Sequence, residues 1–83
     1  MELKRKEIAA YVRNNVEFYE ERLQLALCYM EKMRCPLSMA DDGLFDAIAD
    51  AIEDWCWDND VDFDSIEDLD ELIDGEDGII WEE

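Results

Sequence analysis

Aspartate recurs at every fourth position from 42 to 58, as Asp42, Asp46, Asp50, Asp54 and Asp58. Between them Leu44, Phe45, Ile48, Ala51, Ile52 and Trp55 recur at spacings of three and four, the helical period. At 100° per residue the two sets fall on different faces, one apolar stripe and one slowly drifting acidic row with Glu53 beside it. Ser38 or Asp41 can cap this helix, which should stop near Asp58-Asn59. Seven acids between Asp41 and Asp58 occupy about 27 Å of helix, one per roughly 4 Å. Like charges at a spacing of four destabilise an isolated helix by a few tenths of a kcal/mol per pair, so core packing must offset the row.

The same imbalance divides the whole chain. All seven basic residues (Lys4, Arg5, Lys6, Arg13, Arg22, Lys32 and Arg34) fall in the first 34 positions, where six acids nearly balance them. Residues 41–83 carry 19 acids and no base, which gives the 83-residue chain a formal charge of −18. No linker separates the halves, only the Cys35-Pro36-Leu37-Ser38 turn, so both belong to one domain spanning residues 1–83. Direct binding to nucleic acid or to an anionic membrane face is disfavoured, because either would repel it. Histidine is absent, and with it the commonest general base and transition-metal ligand. At 49% hydrophobic residues the chain is not disordered by composition.

The near-neutral half (residues 1–35) predicts one long amphipathic helix over roughly residues 2–34. Ile8, Val12, Val16, Tyr19, Leu23, Ala26 and Met30 form its stripe, and Asn14-Asn15 is a point where it can bend. From Val16 onward a second stripe of Phe18, Leu25 and Tyr29 widens the apolar arc. A helix so apolar sits at the centre of the domain or packs against a second copy, and a homodimer through residues 16–33 is the expectation. Pro36 ends it. In the acidic half (41–83), a third helix should begin after Ser65, with Ile66, Leu69, Leu72 and Ile73 inward and Gly75 at its stop. Val61 and Phe63 alternate with aspartates, which suits a short extended segment at 61–63. Ile79-Ile80-Trp81 reads as a short apolar tail that docks on the body. The expected fold is mainly all-α, a small three-helix domain.

Cys28, Cys35 and Cys56 make an odd number with no C-x-x-C pair. On one helix Cys28 and Cys35 would lie about 10 Å apart along the axis, too far for a disulfide. No apolar run follows the basic N-terminus, and the longest one, Leu25 to Met30, is far short of a membrane span. The expectation is a cytoplasmic protein with three free thiols.

The acidic row has a charge density close to that of a DNA strand, which carries one phosphate per about 3.4 Å. Trp57 falls about 180° from Ile48, among Asp50, Glu53 and Asp54, where an exposed indole would make an interface anchor. In charge density and compactness, though in no sequence motif, the chain resembles the DNA-mimic inhibitors of phages and mobile elements. That likeness implies a non-enzymatic interaction protein that occupies a basic surface of a partner protein through Asp42, Asp46, Asp50, Glu53, Asp54, Trp57 and Asp58. A cap on a basic protein, of antitoxin or chaperone kind, is a close variant.

Two other readings stand beside it. Asp60, Asp62, Asp64 and Glu71 match positions 1, 3, 5 and 12 of a calcium loop and in part resemble an EF-hand. Ser65 stands where that loop needs glycine, and Glu67 where it usually has an apolar residue. The remaining reading is a structural homodimer whose acidity serves solubility alone. Catalysis is not expected: there is no glycine-rich phosphate loop, and a cysteine nucleophile would lack its histidine. No cofactor is called for.

Overall fold

The computed structural model describes residues 4–76 and 78–81. Residues 2 and 3, the expected start of the first helix, lie outside the described residues. The fold is all-α. Five helices follow in order: α1 (Arg5–Asn15), α2 (Tyr19–Met33), the single turn α3 (Leu37–Ala40), α4 (Asp42–Asp58) and α5 (Leu69–Asp74). Single 3-10 turns stand at Phe63–Ser65 and Ile79–Trp81, and the described residues contain no strand.

The expected long N-terminal helix is two helices. A straight rod from Arg5 to Met33 would be roughly 43 Å long at 1.5 Å per residue. The greatest extent of the molecule is 37 Å, so the core could not cover such a rod. The chain breaks where its helix preference is weakest. The Asn15 side chain donates back to the Tyr11 carbonyl at 2.7 Å, and Val16 is extended (φ −92°, ψ 119°). Phe18 then adopts a left-handed conformation, with φ 55°, and α2 starts. The apolar stripe survives the break, because Ile8, Val12, Val16, Tyr19, Leu23 and Ala26 are all buried.

The centre of the domain is α4, against which α1, α2, α3, α5 and the 63–65 turn all pack. Of the two candidate caps it uses Asp41, whose carboxylate accepts from the Leu44 N–H at 3.0 Å; Ser38 lies within α3. Leu44, Ile48 and Ile52 are wholly buried, with Ile8, Val12 and Leu37 from the N-terminal half and Ile73 and Ile79 from the other end. Each such side chain contributes on the order of 1.5–3 kcal/mol by leaving water.

α4 ends on a left-handed residue, Asp60 (φ 56°), and the Val61 N–H closes back on the Cys56 carbonyl at 2.9 Å. That reversal folds residues 61–65 beside the end of α4. Asp62 is extended, as anticipated, but Phe63 begins a 3-10 turn because the Asp62 carboxylate accepts from the Asp64 N–H at 3.0 Å. α5 begins at Leu69, later than the apolar pattern suggested, because Asp68 caps it by accepting from the Glu71 N–H at 3.1 Å. Ile79 and Ile80 are buried, and the Trp81 indole N–H donates to the Gly75 carbonyl at 2.8 Å, which fastens the tail to the end of α5.

Candidate functional site

With its apolar stripe turned inward, α4 must present its remaining arc to solvent. Asp42, Asp46, Asp50, Glu53, Asp54 and Asp58 are all exposed there. At this helix's spacing the aspartates shift by about 40° for each four-residue step, so the row crosses the outer face obliquely. No base exists between residues 41 and 83 to pair with it. Trp57 stands opposite Ile48 and is 85% exposed, the most exposed large apolar side chain among the described residues.

The left-handed turn at Asp60 gives Trp57 its surroundings. It brings Val61, Asp62, Phe63 and Asp64 alongside the last turns of α4. An open cleft of about 590 Å³ lies between them, lined on the helix side by Glu53, Asp54, Cys56 and Trp57. Two sets of residues that the sequence treats separately thus share one surface: part of the acidic row with Trp57, and Asp62 and Asp64 of the calcium-like loop. Asp42 and Asp46 lie at the other end of α4, away from the cleft.

Asp60, Asp62 and Glu71 also line a neighbouring cleft, with Arg5, Glu67 and Asp68. Among the described residues no three Asp, Glu, Cys or His side chains are grouped so as to hold a metal ion.

The field of these acids is felt inside the fold. The Cys56 thiol, at the base of the cleft, has its pKa raised first by burial and then by the charges of Asp62 and Glu53. On the neighbouring helix the Tyr11 hydroxyl is raised first by desolvation and then by Asp54 and Asp58. An indole face bordered by carboxylates is suited to a guanidinium or ammonium group. The ring attracts the cation, and the carboxylates accept its N–H donors in charge-assisted bonds.

Val61 and Phe63 join the site through the reversal at Asp60, and their alternation with aspartates is the only sign of them in the sequence. Nothing in the residue pattern marked Asp60 as left-handed. Among the described residues no helix is long and apolar enough to cross a membrane. Comparison with known proteins finds no family model, curated protein or solved structure that matches this chain.

Proposed function

We propose that this protein is a non-enzymatic acidic ligand for a basic protein, and that it occupies the surface on which that partner binds nucleic acid. The observation that carries the reading is the exposed Trp57 at one end of an exposed acidic row on a single helix. Solubility alone would account for dispersed acids, but an 85% exposed tryptophan works against solubility and suits an anchor. The row from Asp42 to Asp58 supplies long-range attraction and a charge spacing near that of phosphates. The cleft between Trp57 and Phe63 supplies the short-range contact, with Asp54, Asp62 and Asp64 placed to receive an arginine or lysine of the partner.

The test is competition. Duplex DNA or RNA added to the complex with the basic partner should displace this protein. A partner that binds both at once, with unchanged affinity for each, refutes the reading.

A further inference from the structure

We propose that the outer face of α2 binds α2 of a second copy of this chain, with the two helices antiparallel about a two-fold axis near Leu25 and Ala26. The inference is independent of the function assigned to the acidic face.

The structure divides the apolar residues of α2 between two uses. Tyr19, Leu23 and Ala26 are buried in the protein's own core. Phe18, Leu25, Tyr29 and Met33 remain exposed, at 67%, 75%, 48% and 56%. Leu25, Tyr29 and Met33 recur at spacings of four and form a second stripe about 90° around the helix from the buried one, and Phe18 stands just before the helix begins. At about 200 Å² for a large side chain, the four expose on the order of 500 Å² per copy. That lies in the upper part of the about 300–600 Å² range of the largest apolar patch on a monomer, a patch that is often functional, and is more than half of the about 800 Å² per partner in a stable interface. The left-handed backbone at Phe18 adds to the case: a bulky residue there is strained, yet its ring is left in water.

Charge selects a second copy as the occupant. Contact through the acidic half would set 19 acids against 19, whereas residues 1–40 are balanced to within one charge. Within α2 the charges are weakly polarised. Glu20, Glu21 and Arg22 open the helix at a net −1, and Glu31 and Lys32, with Arg34 just beyond, close it at a net +1. An antiparallel partner sets acid end against basic end at both ends of the contact, and the two helix dipoles oppose. Glu21 and Lys32 lie on the same flank of the apolar stripe, so each faces the partner subunit's Lys32 or Glu21 across the seam.

Sedimentation equilibrium of the intact chain decides the matter. At about 200 µM in about 200 mM sodium chloride the mass should be near twice 9.8 kDa, and dilution to low micromolar should halve it. Lowering the salt to about 10 mM should weaken the dimer, because the two chains of charge −18 then repel at longer range. Leu25→Asp should yield a monomer with an unchanged helical circular dichroism spectrum, since Leu25 is exposed. Lys32→Glu should weaken association at least tenfold, and adding Glu21→Lys in the same chain should restore it. Trp57→Ala should leave the mass untouched. A monomer at about 200 µM in about 200 mM salt overturns the proposal. So does a dimer that survives Leu25→Asp. Failure of the Glu21→Lys rescue overturns the antiparallel arrangement. None of these results bears on displacement by nucleic acid.

Discussion

The Asp74 carboxylate accepts a hydrogen bond from the Leu37 backbone N–H at 2.8 Å, across 37 residues of sequence. Leu37 opens α3, and the residue before it, Pro36, makes no side-chain cap bond. The last residue of α5 therefore supplies the cap that α3 lacks, and it ties the acidic half to the turn after α2. Asp74→Ala should remove this bond and leave the partly buried N–H unsatisfied, at a cost of about 1–2 kcal/mol. For a domain of this size that corresponds to a fall in Tm of roughly 4–8 °C per kcal/mol, readable by thermal melting. Asp74→Asn keeps an acceptor oxygen and should lose less. Equal losses for the two variants would show that charge, not the cap, is what matters.

Two helices end on non-glycine residues in the left-handed region. Arg34 (φ 52°) follows α2 and Asp60 (φ 56°) follows α4, and in each case the next N–H closes on a carbonyl five residues back. Glycine is the usual residue at such a position, since a side chain there costs about 1–2 kcal/mol. Part of that gain is returned through the greater freedom of glycine in the unfolded chain. Asp60→Gly and Arg34→Gly should thus each raise stability by about 0.5–1 kcal/mol in urea unfolding. Destabilisation by Asp60→Gly would mean that its carboxylate holds the loop in a way the backbone does not reveal.

Glycines 43 and 78 should respond in opposite senses. A Cβ on Gly43, in the first turn of α4, would lie 3.6 Å from an Arg22 Nη and from Asp41 Oδ1, ordinary contact distances. Gly43→Ala should stabilise by up to about 1 kcal/mol through helix propensity. A Cβ on Gly78 would lie 2.7 Å from the Ile73 carbonyl carbon and 2.9 Å from the Asp74 nitrogen. Backbone atoms cannot give way as a flexible side chain does, so Gly78→Ala should push the Ile79–Trp81 turn off the core. The cost should be about 1–3 kcal/mol, with increased Trp81 solvent exposure in fluorescence quenching.

What the sequence made legible follows from how far each feature depends on local pattern. The position of α4 and its Asp41 cap could be read because capping and the apolar period are local. The break at Phe18 could not, because Val16 and Tyr19 carry the buried stripe across it without interruption and only Asn14-Asn15 signals weakness. The site divides in the same way. The exposed row and the outward position of Trp57 follow from spacing along one helix. The approach of Val61, Asp62, Phe63 and Asp64 depends on a reversal at Asp60, and aspartate adopts the left-handed region too rarely for sequence to predict it. The link between Asp74 and Leu37 is a tertiary contact with no local signature.

Alkaline pH should destabilise the fold. Burial first, with nearby acids, raises the Cys56 thiol above its ordinary 9.0. Burial is also the leading cause that raises the Tyr19 hydroxyl above 10.0. Both groups are neutral when protonated, and the folded state holds these protons more tightly than the unfolded chain does. Their contribution is fully present below the ordinary values and is lost as pH rises through the raised folded ones. The urea midpoint should accordingly be level from about pH 7 to 8.5 and decline from about pH 9 upward. Tyr19→Phe should flatten the part of the decline above about pH 10. A midpoint that rises through this range would contradict the assignment.

The acidic row and Trp57 should fail in different ways when altered. Attraction over a distance depends on summed charge, so Asp46→Lys, Asp50→Lys and Asp54→Lys together should slow association with the basic partner and flatten its salt dependence. Trp57 acts only on contact, so Trp57→Ala should leave the association rate nearly intact and speed dissociation. If the indole is buried in the complex, the cost should be about 2 kcal/mol or more, roughly a thirtyfold loss of affinity. Phe63, facing the same cleft, should behave like Trp57 on a smaller scale. None of these changes touches the stripe of Leu44, Ile48 and Ile52, so thermal melting should still show a cooperative transition. The triple reversal removes like-charge repulsion along α4 and should even raise the melting temperature at low salt. Surface plasmon resonance at several salt concentrations separates the two roles. Equal effects on both rate constants from both variants would mean that the row and the tryptophan do not act as steering surface and anchor.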